Sequence, residues 1–133
     1  MRFMLDTNTC VDLIRQRDDR ILRKMQRLMP DDLCVSSVTL SELEYGAAKS
    51  AAPGKNRLAL AEFMTPLNIA PYDDAVAPVY GRVRAELERA GTPIGPLDTM
   101  IAAHALSLGL TVVTDNEREF RRVPGLKVQN WAK

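Results

Sequence analysis

The feature that most constrains this chain is an alternation of two periodicities. Short apolar stretches of strand length, residues 2–6, Leu33–Ser37, Leu67–Ala70, Leu110–Thr114 and Leu126–Gln129, are separated by stretches in which apolar residues recur every three to four positions. Strand and helix signals in alternation define an α/β domain, whose strands pair in parallel through helical crossovers. The helical stretches read as Thr9–Arg15; a segment with Ile21, Leu22, Met25, Leu28 and Met29 behind the capping candidates Asp18 and Asp19; and a helix opened by Thr39 that runs through Glu42, Leu43 and Ala47. The Pro53-Gly54 turn then precedes a helix from about Asn56 to Met64. Asp73 is placed to cap a stripe of Val76, Val79, Tyr80, Val83 and Leu87 that ends at Gly91. The last helix carries Pro96 in its first turn, where a missing N–H costs nothing, and ends near Gly109.

With 133 residues, 46% of them hydrophobic, the chain is expected to form one domain over residues 1–133 with a single packed core. No apolar run approaches the roughly 20 residues of a membrane span, and no leader precedes the first strand, so a cytoplasmic protein is expected. A net charge of +1 argues against a generic polyanion binder. The positive charge is uneven, however: Arg15, Arg17, Arg20, Arg23, Lys24 and Arg27 crowd one segment, and Arg118, Arg121, Arg122 and Lys127 another. These faces are either solvated surface or contacts for phosphates or an acidic partner. Cys10 and Cys34 match neither a disulfide framework nor a zinc pattern and read as reduced core thiols.

Four acids stand out by position. Asp6 and Asp115 end strands; Glu42 and Asp98 fall in the first turns of helices. Each has a local use: Asp6 as a cap, Thr39 with Glu42 as a capping box, Asp98 as a partner of the helix dipole, Asp115 in a turn with Asn116. As a set they point further, because strand C-ends and the helix N-termini that follow share one rim of a parallel sheet, where ligands bind. Carboxylates gathered there repel unless protons or a cation hold them together. All-oxygen ligation suits Mg²⁺ or Mn²⁺, and the chemistry such an ion supports is phosphoryl transfer to water. His104 lies roughly 240° around its helix from Asp98 and cannot share that site, so it reads as a core or surface residue. A single histidine also excludes metal-free cleavage of RNA by a histidine pair.

The stretches FMLDTN, SSVTLSELEYGA, GTPIGPLDTMIAAHAL and VVTDNEREFRRVPGL, in this order, resemble a PIN-domain ribonuclease of the VapC toxin type. The resemblance implies a three-layer α/β/α fold with a mostly parallel sheet of about five strands, Mg²⁺- or Mn²⁺-dependent endonucleolytic cleavage of RNA, tRNA among the candidate substrates, and neutralisation by a cognate VapB-type antitoxin. It places the family's acidic tetrad on Asp6, Glu42, Asp98 and Asp115, with Asn8 and Thr114 beside them. It names Glu119, one turn later, as a substitute for Asp115, and leaves Asp12 and Glu44 as surface acids. It also implies a homodimer through first-half helices, which would make Tyr45, Gly46, Ala47 and Ala48 interface rather than core. Two other readings stand beside it. One is a PIN-like module that binds RNA or protein without cutting. The other is a haloacid-dehalogenase-like phosphatase, suggested by Asp6-Thr7-Asn8-Thr9, in which Asn8 cannot act as the second acid.

Overall fold

The computed structural model describes residues 1–16 and 19–133. The strands are β1 (Phe3–Leu5), β2 (Leu33–Ser36), β3 (Asn68–Ala70), β4 (Thr111–Val113) and β5 (Lys127–Gln129). They form one sheet in the order β3-β2-β1-β4-β5, and every adjacent pair is parallel. Leu5 stands opposite both Val35 and Val113, which fixes β1 at the centre. Composition explains the order. All residues of β1 and β2 are apolar or small and buried, as strands covered on both faces must be, whereas β3 and β5 at the edges alternate or carry exposed positions.

The helices are α1 (Thr7–Ile14), α2 (Asp19–Gln26), α3 (Ser37–Ala48), α4 (Pro53–Met64), α5 (Ala77–Arg89), α6 (Pro96–Leu108) and α7 (Glu117–Phe120). They cover the two faces of the sheet, and the pleat of β1 sorts them. Phe3 and Leu5 pack with Ile21, Leu43 and Leu60, so α2, α3 and α4 share one side. Met4 points the other way, to Val83, Ile101 and Phe120 of α5, α6 and α7. The result is the expected three-layer α/β/α arrangement. On the first side Trp131 closes the core, its ring edge-on to Phe3 at 5.0 Å between centroids.

The chain leaves β1 toward β2 and β3, then returns to lay β4 on the opposite side of β1. This reversal opens a crevice beyond the C-terminal ends of β1 and β4, the position at which open α/β sheets bind ligands. Asp6 and Thr114 are the residues that immediately follow those two strands.

Several local expectations need correction. Helix α1 starts at Thr7, two residues before the expected Thr9, because the Asp6 side chain caps it directly. Helix α3 starts at Ser37 under an Ser36 cap, so Thr39 lies inside it, fully buried, and no Thr39–Glu42 capping box forms. Pro53 is the first residue of α4 rather than part of a preceding turn. Asp73 does not cap α5 but accepts the Ala75 N–H at 3.1 Å in a turn before it. Helix α2 ends at Gln26, and Leu22 and Met29, taken as part of its apolar stripe, are exposed. The short α7 carries too little periodicity to be expected. Asp18 and Arg17 lie outside the described residues.

Candidate active site

Asp6 is 2% exposed, and both of its carboxylate oxygens are engaged. Oδ1 accepts the Thr9 N–H at 2.9 Å, which is the cap of α1, and Oδ2 accepts the Thr114 hydroxyl at 2.6 Å across the sheet from β4. That hydroxyl in turn accepts the Asn116 N–H at 2.9 Å. The local and the functional readings of Asp6 therefore hold together: the cap fixes the carboxylate that the crevice presents. Burial is the main reason its pKa lies above the ordinary carboxylate value, with the Asp115 charge adding to it against the hydrogen bonds.

The other acids arrive from three helices. Glu42 projects from α3 and accepts the Thr7 hydroxyl at 2.7 Å, a bond from the first residue of α1. Asp98 sits in the first turn of α6, behind Gly95, whose missing side chain would point at Asp98 Oδ2 from 3.9 Å. Glu119 projects from α7 and accepts Asn116 Nδ2–H at 2.8 Å. Asp98 is hydrogen-bonded to Glu119 and its pKa is pushed up to about 7, first by burial, then by that bond and by the negative charges of Asp6, Glu119 and Glu42.

Electrostatic coupling thus joins Asp6, Glu42, Asp98 and Glu119, brought from the end of β1, the middle of α3, the first turn of α6 and the short α7; Glu42 does not fall in a first helical turn as expected, because α3 begins five residues before it at Ser37. Asp115 is exposed and acts on Asp6 alone among the pairs just described. Asn8 is exposed in the first turn of α1. Thr7 and Asn116, which hold Glu42 and Glu119, were not picked out from the sequence; each is an ordinary turn or helix-start residue whose partner is distant or unforeseen. Among the described residues no three His, Cys, Asp or Glu side chains are placed as a ready-made set of metal ligands. What the donor set offers is an all-carboxylate pocket in which burial and neighbouring negative charge raise the Asp98 pKa. A hard divalent ion among these carboxylates would relieve that repulsion, so the residues fit Mg²⁺ or Mn²⁺.

The PIN-domain family profile matches residues 3–126. This chain belongs to the PIN-domain family. Within it, a tRNA(fMet)-specific endonuclease VapC from Salmonella typhimurium is 48% identical over 131 residues, 98% of each chain. Ribonuclease VapC2 from Haemophilus influenzae is 41% identical over 131 residues, again 98% of each. The structure of DNA-bound VapBC from Salmonella typhimurium superposes with a TM-score of 0.93 at 47% identity, covering 98% of both chains. The chain is thus a PIN domain of the VapC type, and the phosphatase alternative is overturned.

Of the residues expected at a dimer interface, Tyr45 is 65% exposed and Ala48 is exposed as well. Ala47 is only 7% exposed and packs inside the domain, which corrects its assignment. His104, 1% exposed, is a core residue whose Nδ1 meets the Ser36 hydroxyl at 2.9 Å. Both cysteines are buried and unpaired. Among the described residues no helix is long and apolar enough to cross a membrane.

Proposed function

We propose that this PIN domain is the toxin of a VapBC-type pair: a cytoplasmic RNA endonuclease that depends on Mg²⁺ or Mn²⁺, cuts tRNA, and is silenced by its own VapB-type antitoxin. The observation that carries the reading is the coupling of four acids at the switch-point crevice, with Asp98 held near pKa 7 by its neighbours, in a chain nearly half identical along its length to a tRNA(fMet)-specific endonuclease. Asp6, Glu42, Asp98 and Glu119 would hold the ion, and Thr7, Thr114 and Asn116 orient three of them. When bound, the ion polarises a phosphate oxygen and makes water nucleophilic. The chain's own acids supply the proton handling: in hydrolysis a water O–P bond forms, the P–O bond to the leaving nucleotide breaks, and one proton passes from water while another reaches the leaving oxygen. A carboxylate of the cluster would accept the first as general base, and solvent would supply the second. Asp115, at the outer edge, is the weaker candidate for the fourth ligand.

The test is cleavage of initiator tRNA and of total RNA by the purified protein in Mg²⁺, Mn²⁺ or EDTA, alongside variants. Asp6→Asn and Asp98→Asn are expected to lower cleavage at least about a hundredfold while both still melt cooperatively, Asp98→Asn at or above the wild-type temperature, since it removes a charge from a repulsive cluster. Glu119→Gln is expected to cost more activity than Asp115→Asn. Wild-type rates in Asp6→Asn, or full activity in EDTA, would refute the proposal.

A further inference from the structure

A second cavity lies on the other side of the loop that leads to Asp98. It has a volume of about 220 Å³ and is lined by Tyr80, Arg84 and Glu88 of α5 and by Pro93, Ile94 and Pro96 of the loop. The loop is a shared wall. Gly95 faces the Asp98 carboxyl, while Pro93, Ile94 and Pro96 line the cavity together with Thr99, the residue after Asp98. Arg122, two residues past the end of α7, donates to the Pro93 carbonyl at 2.9 Å and ties the wall to the segment that follows the helix of Glu119.

Its polar groups are arranged for recognition. Arg84 Nη1 donates to the Tyr80 hydroxyl at 3.0 Å, and Arg84 Nε lies 3.8 Å from Glu88 Oε1. The guanidinium is thus steered by both neighbours, one turn to either side of it on α5. A half-buried phenol ring, a steered guanidinium, a carboxylate and an apolar proline floor offer a flat surface for stacking together with donors and an acceptor for the edge of a planar heterocycle. Two arginines meet this wall, Arg84 in the cavity lining and Arg122 on the Pro93 carbonyl, of the sign that the phosphates of a strand crossing it would require.

We infer that the cavity between α5 and the 91–96 loop is a nucleobase subsite, which takes the base of the nucleotide flanking the scissile phosphate, stacks it on Tyr80 and reads its edge through Arg84 and Glu88. This rests on the ribonuclease reading but is tested separately from it. Titration of the wild-type protein with each of the four ribonucleoside 5′-monophosphates, followed by amide chemical shifts, requires no cleavage. Shifts at Tyr80, Arg84, Ile94 and Thr99 that differ between bases are expected. On a cleaved RNA, Tyr80→Ala and Arg84→Ala should raise KM about tenfold with kcat within about twofold, Tyr80→Phe should fall between Tyr80→Ala and wild type, and an abasic residue next to the cut should remove the difference between Tyr80→Ala and wild type. Unchanged KM in both alanine variants with wild-type melting curves would overturn the subsite, as would nucleotide shifts confined to the acidic crevice. If the wild type cuts no RNA, the ribonuclease reading fails alone and the nucleotide titration still decides the subsite.

Discussion

At the scale of single residues, the crevice is built from hydroxyls that serve two partners. Thr114 shows the principle: its Oγ1 donates to Asp6 at 2.6 Å and accepts from Asn116 N–H at 2.9 Å, while the residue itself is 1% exposed. Removing that hydroxyl without changing shape leaves a buried carboxylate oxygen and a backbone N–H each short of a partner, and such losses cost about 1–3 kcal/mol for each group. Thr114→Val is therefore expected to lower unfolding stability by roughly 2–6 kcal/mol in denaturant melts and to lower cleavage, whereas Thr114→Ser should retain most of both. A Thr114→Val protein as stable as wild type would show that the bond contributes nothing to holding Asp6. The same residue marks the limit of reading the sequence. A threonine at the end of a strand has many innocent uses, and its bond to a carboxylate 108 positions earlier in the chain exists only once β4 lies beside β1.

At the scale of elements, His104 links the two helices that bring Glu42 and Asp98. Its Nδ1 meets the Ser36 hydroxyl at 2.9 Å, and Ser36 Oγ also accepts the Val38 N–H at 3.1 Å as the cap of α3. The edge of Tyr72 covers the ring, at 5.4 Å between centroids, and the Tyr72 N–H donates to Ser37 Oγ at 2.9 Å. Burial lowers the His104 pKa, against the nearby Asp73 charge and a bond to the Pro71 carbonyl. A depressed folded-state pKa means that the unfolded chain takes up the proton first. The stability His104 contributes is hence present above its ordinary pKa near 6.5 and is lost as pH falls below it. His104→Gln is expected to flatten the fall in melting temperature between pH 7 and pH 5 that the wild type shows relative to it; parallel curves for the two proteins would refute the assignment. The elements also divide cleanly into those legible in the sequence and those not. Every strand and the long helices α5 and α6 follow from periodicity, because burial on one side or both leaves a strong apolar signature. Helix starts were harder. At Asp6 and Ser36 the capping side chain sits one to three residues ahead of the first apolar-periodic position, so α1 and α3 begin earlier than their hydrophobic pattern does. Asp6 at a strand end and Asp98 in a first helical turn were legible from the rule that a parallel sheet gathers such ends on one rim, whereas Glu42 reaches the cluster from the middle of α3. Glu119 was named only by resemblance, since α7 spans four residues, too few to carry a period.

At the scale of the whole molecule, the sheet gathers carboxylates from distant segments into one crevice while the chain as a whole is nearly neutral, with a net charge of +1. The repulsion is local, and it is coupled to folding. Asp98 is raised to about 7 by burial first and then by Glu119, Asp6 and Glu42, and Asp6 is raised chiefly by burial. For an acid whose folded pKa exceeds its unfolded value, the native state holds a proton that the unfolded chain has already released. Its contribution is therefore fully present below about pH 4 and is lost as pH rises through the folded value near 7. This runs opposite to the His104 effect, so the wild-type profile alone is a sum of two windows and the variant isolates one of them. In metal-free buffer, the melting temperature of Asp98→Asn minus that of wild type should increase from pH 5 to pH 7.5, by about 5 °C once solvent screening of this half-exposed group is allowed for. An ion bound by the same carboxylates competes with those protons and stabilises the native state in proportion to ln(1 + [ion]/Kd). Added Mg²⁺ or Mn²⁺ should hence raise the wild-type melting temperature more at pH 7.5 than at pH 5.5, and should do so weakly in Asp98→Asn. Calorimetric titration at pH 6.5 in two buffers of different ionisation enthalpy should register proton release on ion binding. An equal ion response at both pH values, or an undiminished one in Asp98→Asn, would mean that the ion binds elsewhere than among these acids.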